Sequence, residues 1–279
     1  MTDITNKVAF VTGAASGIGR ALAVKLAEKG ARTIVITDVN EQGLNETADL
    51  VRQKQVNVIA RPLDVADRGA FEDLVHETID TQGGIDLVFN NAGVTVTNTT
   101  NDMSYEDFEW LMNINFWGVV HGTKSVLPHM LAKNEGHIVN ISSIFGFIGV
   151  PTQSTYCAAK FAVRGFTESL VHELAGTGVH ATTVHPGGIK TNIVNNARHK
   201  LQDGSNKDDM AANFEKMART TPDEAAEVIL KGVTRNKKRV FIGLDAHIIS
   251  RLVRWFPGLY FRIMGRGSQG AQQRIMGPN

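Results

Sequence analysis

Tyr156 and Lys160 stand four residues apart in a stretch with helical periodicity, Ser154 to Leu174, so their side chains share one face. A free tyrosine, with a pKa of about 10, is a poor base near neutrality. An ammonium within a few Å favours the phenolate and lowers that pKa, and a cationic ring alongside would add to the effect. The pair therefore reads as a proton acceptor for alcohol oxidation and a proton donor for carbonyl reduction. Ser142 and Ser143 follow a strand-like run at Ile138 to Ile141. A hydroxyl there could hydrogen-bond a carbonyl oxygen and stabilise developing alkoxide charge. Asn115 lies within an apolar helical run, where a buried amide is either satisfied by the fold or holds a water in a proton path. A Y-x-x-x-K pair alone is common on helices, so the reading depends on its surroundings.

The surroundings are those of a dinucleotide site. Thr12-Gly13-Ala14-Ala15-Ser16-Gly17-Ile18-Gly19 follows a first strand-like run and opens a helix, with G-x-x-x-G-x-G spacing. Glycines in that place let the backbone turn tightly and approach a pyrophosphate, whose charge suits a helix N-terminus. Asp38 ends the second strand-like run, where a carboxylate can accept from both ribose hydroxyls of NAD and repel the 2′-phosphate of NADP. Asp38 could equally cap the following helix, and Arg20 and Arg32 are basic residues nearby that could soften the discrimination. Asp64-Val65 and Asn90-Asn91-Ala92-Gly93 each follow a strand-like run, where ligands bind in open α/β sheets and where ordinary turns also occur. No metal-ligand spacing is present.

These residues must be carried by alternating elements. Apolar or β-branched runs at Val8–Val11, Thr33–Thr37, Val56–Ala60, Ile85–Phe89, Ile138–Ile141, Val179–Val184 and Arg239–Ile242 read as strands. Helical patterns fall at Ala21–Glu28, Glu41–Gln53, Phe71–Ile79, from Ser104 towards Met130, Ser154–Leu174 and from Thr221-Pro222 onward. Strand–helix–strand repetition implies a single-domain α/β fold, a doubly wound parallel sheet with helices on both faces. With 279 residues, 42% hydrophobic and 20% charged, the chain fits one large domain. The net charge of +1 gives no bulk field for nucleic acid or an anionic membrane. The one cysteine, Cys157, cannot form an internal disulfide, and no apolar run reaches the ~20 residues of a membrane span. The start, Met1 to Lys7, lacks a signal-peptide layout, so a cytoplasmic location is expected. The polar stretch Asn195 to Asp209 is the candidate mobile segment.

Taken together, these motifs resemble the short-chain dehydrogenase/reductase family over about Lys7 to Thr191, with the same rhythm continuing to about residue 243. Thr12 to Gly19 is similar to the family's cofactor loop and Asn90 to Gly93 to its N-N-A-G. Asn115, three residues before Gly118, falls at the family's helix asparagine. Ser143, thirteen residues before Tyr156, matches the family's serine and is thereby selected over Ser142. Pro186-Gly187 matches its P-G turn. The resemblance implies a Rossmann-type sheet in the order 3-2-1-4-5-6-7, while Asp38 favours NAD over NADP as cofactor. It implies Tyr156 as acid/base, Lys160 as pKa modifier and ribose ligand, Ser143 as carbonyl polariser and Asn115 as water holder. Gly13, Ser16, Gly17, Ile18, Gly19, Asp38, Asp64, Val65, Asn90, Ala92, Gly93, Pro186, Gly187, Ile189 and Thr191 would bind the cofactor. It further implies a homotetramer or homodimer packed through the helices carrying Asn115 and Tyr156. One departure is local: the span from Gly30 to Asp38 is one residue longer than the usual family spacing.

The expected substrate is a small-molecule alcohol or ketone. Val94–Met103, Ile144–Gln153 and Gly188–Thr220 are the segments that could line its pocket. Phe145 and its neighbours are mainly apolar and no arginine clamp is evident, which favours a lipophilic secondary alcohol. Ser143, Phe145 and Tyr156 are the expected substrate contacts. Residues 1–243 form the dehydrogenase domain, with a substrate loop near 188–220, and residues 244–279 an amphipathic extension. That extension packs on the domain or a neighbouring subunit, covers the pocket, or touches a membrane surface. The alternative activities are reduction of a 3-oxoacyl thioester with NADPH, and a membrane-associated retinoid- or steroid-type dehydrogenase. A cofactor-binding scaffold without catalysis is disfavoured, since both Tyr156 and Lys160 are present.

Overall fold

The structure, a computed structural model, describes residues 1–191, 198–199, 219–258 and 260–261. Seven strands form one sheet: β1 Val8–Thr12, β2 Thr33–Asp38, β3 Asn57–Pro62, β4 Leu87–Asn90, β5 Gly136–Ile141, β6 Val179–Pro186 and β7 Arg239–Ile242. All neighbours are parallel and the order is 3-2-1-4-5-6-7, as the resemblance implied. The helices are α1 Gly17–Glu28, α2 Glu41–Arg52, α3 Arg68–Gln82, α4 Tyr105–Met112, α5 Gly118–Lys133, α6 Ser154–Glu173, α7 Pro222–Thr234 and α8 Leu244–Trp255.

Every residue of β1 and of β5 is buried, which explains why these runs lack polar alternation: each is covered on both faces. The two-residue period instead divides the side chains between two cores. Ala9 and Val11 of β1 and Ile34 and Ile36 of β2 join Leu22, Leu26, Leu44 and Ile229 of α1, α2 and α7. Phe10 and Val35 join Phe71, Val126, Met130 and Leu170 of α3, α5 and α6. Two helices start as their sequences predict, with Ser104 accepting from Asp107 N–H and Thr221 closing a capping box with Glu224.

The long helix expected from Ser104 towards Met130 is interrupted. A π-helical turn, Asn113–Trp117, separates α4 from α5. Its extra residue lets Asn115 reach the backbone of Val94, while Gly118 packs so tightly on Val65 that a Cβ would lie 2.7 Å from Val65 Cγ2. α1 begins at Gly17, inside the glycine loop rather than at Ala21. β3 runs to Pro62, which a sheet edge tolerates because it needs no further ladder donor. Of the stretch Asn195 to Asp209, Arg198–His199 pairs in parallel with Val96–Thr97, and the rest lies outside the described residues. No helix among the described residues is long and apolar enough to cross a membrane.

At the end of the sheet opposite the glycine loop, the His137 ring lies fully buried between Thr2 Oγ1 at 2.9 Å and Thr182 Oγ1 at 2.7 Å. Burial, together with His180 nearby, pushes its pKa down to about 3. The unfolded chain therefore takes up this proton near pH 6.5 and the folded chain only near pH 3, so stability falls as pH drops between those values. Urea unfolding at stepped pH should show the denaturation midpoint declining below pH 6.5, with a shallower decline in His137→Asn.

Candidate active site

The cleft lies at the carboxyl ends of β1, β2, β4, β5 and β6. Gly13 and Gly17 hold positive φ, +66° and +53°. A Cβ on Gly13 would stand 2.7 Å from Ala92 Cα, and one on Gly19 would overlap the Gly13 carbonyl oxygen. The backbone turn is held from the side by the next strand end. Asn91 Nδ2 donates to the Thr12 carbonyl at 2.9 Å and the Gly13 carbonyl at 3.2 Å, and Thr12 Oγ1 accepts from the N–H groups of Asn91 and Ala92. Because α1 starts at Gly17, the N–H groups of its first turn have no partner within the helix. The hydroxyl of Ser16, at the N-cap, makes no capping bond. Thr191 hangs over this loop, its Cγ2 3.2 Å from where a Cβ on Gly17 would be.

Asp38 closes the far side. Its Oδ2 accepts from Ala15 N–H at 3.0 Å and its Oδ1 from Asn40 N–H at 3.0 Å, which leaves each carboxylate oxygen a further acceptor site. The helix cap itself is Asn40, which accepts from Gly43 N–H. Arg20 is committed to Ala15 O, Gly43 O, Thr47 and Glu46, and Arg32 donates to Gln82 O at the other end of the strand. Both guanidiniums the sequence placed near Asp38 are thus spent within the protein.

α6 presents Tyr156 and Lys160 to the same cleft. The Lys160 ammonium is buried, donates to the Ile141 carbonyl at 3.0 Å and stands 5.6 Å from the Tyr156 ring centroid. The Ser143 hydroxyl is hydrogen-bonded to Tyr156 and accepts from Phe145 N–H at 3.1 Å. Burial pushes Tyr156 up to about 12, with the Ser143 bond drawing it back, and pushes Lys160 down to about 8. Both shifts come from loss of water, so a positive charge delivered beside Tyr156 is what phenolate formation requires here. Ser142, the rival serine, is buried with its Oγ donating to the Lys160 carbonyl. It is a strut for α6 and not a cleft residue.

Asn115 Oδ1 accepts from Val94 N–H at 2.8 Å and its Nδ2 donates to Val94 O at 2.8 Å, so its amide clamps the chain just after Gly93. A Cβ on Gly93 would lie 3.4 Å from Asn115 Oδ1 and 3.6 Å from Lys160 Nζ, which puts all three groups at one spot. Phe145 meets the Tyr156 ring edge-on, centroids 6.0 Å apart.

Asn90 turns into the core, where its Nδ2 donates to Asn140 Oδ1 at 2.8 Å, and Asn140 in turn donates to Thr167 of α6. Strand alternation sends Asn90 inward and Asn91 towards the loop. Asp64 is exposed and accepts from Ala66 N–H in its own turn, while Val65 is buried with its carbonyl bonded to His121. Pro186 ends β6 in the core, and Gly187 donates to Ile242 O. Ile189 is buried and bridges to Thr220. Among the described residues no cluster of His, Cys, Asp and Glu could hold a metal.

Thr12, Asn91 and His185 were not among the expected site residues. His185 is fully buried beneath Ser143, its Nδ1–H donating to the Ser143 carbonyl at 3.2 Å. Its ring stacks on Phe241 at 5.2 Å and meets Phe147 edge-on at 4.7 Å, while its Nε2 has no partner. Burial pushes its pKa down to about 4, so the ring is neutral at pH 7 and its Nδ1–H anchors the Ser143 backbone. His185→Leu should lower turnover about tenfold, ~1.4 kcal/mol of barrier, with cofactor affinity unchanged. His185→Asn, which keeps a donor near Nδ1, should recover most of the loss in steady-state assays.

A family model described as short chain dehydrogenase matches residues 7–202. SadH of Mycobacterium tuberculosis is 43% identical over 270 residues, covering 96% of this chain and 97% of its own. An uncharacterized oxidoreductase of Staphylococcus aureus is 34% identical, covering 85% and 95%. Among solved structures, a short chain dehydrogenase/reductase from Burkholderia phymatum in complex with NAD superposes with a TM-score of 0.84 at 29% identity, covering 93% and 97%. Levodione reductase superposes at 0.76 with 31% identity, covering 85% and 96%. The chain is an oxidoreductase of the short-chain dehydrogenase/reductase family.

Proposed function

We propose that this oxidoreductase interconverts a lipophilic secondary alcohol and its ketone, uses NAD(H), and employs Tyr156 as general acid/base. The observation that carries the reading is the convergence of the buried Lys160 ammonium, the Tyr156 phenol and the Ser143 hydroxyl at one end of the glycine cradle. The cradle itself fits a dinucleotide: Gly13 and Gly19 pack too closely on Ala92 and on the Gly13 carbonyl for any side chain, and the tight turn they allow leaves the first N–H groups of α1 available to a pyrophosphate. A nicotinamide dinucleotide lying there supplies the two-electron step, taking or giving hydride at its ring C4.

The protein supplies the proton step. In oxidation, Tyr156 Oη accepts the alcohol proton; in reduction, it returns one to the alkoxide oxygen. Ser143 Oγ donates to that same oxygen and stabilises its charge as it develops. Lys160, held by the Ile141 carbonyl, keeps a positive charge near the phenol in a site poor in water. Asn115 and its π-helical turn hold the Gly93–Val94 backbone against the lysine.

Asp38 supports NAD over NADP, since its carboxylate keeps acceptor sites for ribose hydroxyls and both nearby arginines are engaged elsewhere. Phe145 beside Tyr156 supports an apolar substrate. Trp117 and Phe161, exposed near and on the helices that carry Asn115 and Tyr156, support assembly into a homodimer or homotetramer through that face.

Tyr156→Phe should lower kcat about 10²- to 10⁴-fold while NADH binding, followed by fluorescence titration, stays within about twofold. Undiminished turnover would overturn the acid/base assignment. Removal of the acidic side chain in Asp38→Ala should shift the kcat/KM ratio towards NADPH by about tenfold or more, through loss of like-charge repulsion with a 2′-phosphate. Wild-type preference for NADPH would remove the cofactor assignment.

A further inference from the structure

Helix α8 faces the wrong way for a purely structural helix. Its inward side is slight: Ala246 is buried, Ile249 and Val253 are partly buried, and Asp245 turns back to accept from Gly188 N–H at 2.8 Å. Its outward side is apolar. Leu244, Ile248 and Trp255 recur at helical spacing, Ile248 is 55% and Trp255 72% exposed, and Phe256 extends the stripe past the helix end. Arg251 and Arg254, both exposed, flank it. No acidic residue follows Asp245 in the sequence, whereas Arg262, Arg266 and Arg274 do.

We propose that α8 docks on an anionic lipid surface, the Leu244–Ile248–Trp255 stripe entering the acyl boundary and Arg251 and Arg254 pairing with lipid headgroup charge. An outward apolar stripe bordered by arginines, with tryptophan and phenylalanine at its end, is the composition that lies in a membrane interface. Charge decides between this occupant and a second copy of the chain. Two α8 helices packed about a twofold axis would bring Arg251 and Arg254 of both copies together against a single carboxylate on each helix, Asp245, which is already bonded to Gly188 N–H. A negatively charged leaflet answers both. The inference stands independently of the cofactor and substrate assigned above.

The test is flotation of the full chain with vesicles of mixed phosphatidylglycerol and phosphatidylcholine, against phosphatidylcholine alone. Partition into the mixed vesicles should exceed that into neutral ones by about tenfold or more, given about fivefold per basic residue near the surface. The double substitution Arg251→Glu/Arg254→Glu and, separately, Ile248→Asp should each abolish the difference, with thermal unfolding unchanged. Trp255 emission should shift to the blue on the mixed vesicles, and Trp255→Phe should remove that shift. Absence of partition, equal partition into both vesicles, or partition unaffected by these substitutions would overturn the proposal. A fall in sedimenting mass of Ile248→Asp with its lipid partition intact would assign the stripe to a subunit interface instead.

Discussion

A charged lysine buried beside a tyrosine is the constraint on which the rest of this molecule turns. Lys160 is almost without solvent contact, and burial disfavours its charge. The fold compensates with an oriented oxygen atom: the Ile141 carbonyl accepts from the ammonium at 3.0 Å. α6 itself is fixed from below, by Ser142 bonded to the Lys160 carbonyl and by Thr167 bonded to Asn140. A lysine so restrained can lend charge to Tyr156 without leaving the site, which is the use a buried ammonium best serves.

The same economy governs the cofactor cleft. The glycine loop is shaped by contacts too short for any side chain, and its conformation is enforced laterally by Thr12 and Asn91 rather than by the loop's own hydrogen bonds alone. The sheet carries these pieces because parallel strands present all their carboxyl ends on one edge, so residues from β1, β2, β4, β5 and β6 meet there although far apart in sequence. His185 belongs to this layer as well. It is buried like a core residue yet spends its one donor on Ser143.

Much of this was legible beforehand because it follows from local rules. Tyr156 and Lys160 share a face through helical spacing alone, and the glycine spacing marks a place where backbone must pass close to something. The strand runs stood out because a doubly covered sheet needs unbroken apolar segments. What spacing left hidden has equally physical causes. Periodicity does not show a single inserted residue, so the π-helical turn at Asn113–Trp117 was hidden within an apparently continuous helix. Period-two alternation at the end of β4 sends Asn90 inward, and nothing in the pair Asn90-Asn91 states which residue is still in strand register.

The sequence by itself determined the fold class, the strand order through its family resemblance, and the residue types able to move a proton and cradle a pyrophosphate. These depend on spacing along the chain and on backbone freedom, which are written locally. Tertiary packing alone settles that Ser142 braces α6, that Asn115 clamps Val94, that Arg20 and Arg32 are engaged elsewhere, and that His185 lies under Ser143. Each of those turns on which distant groups satisfy a buried donor or charge. Burial and partnership are properties of the packed chain, and no spacing rule encodes them.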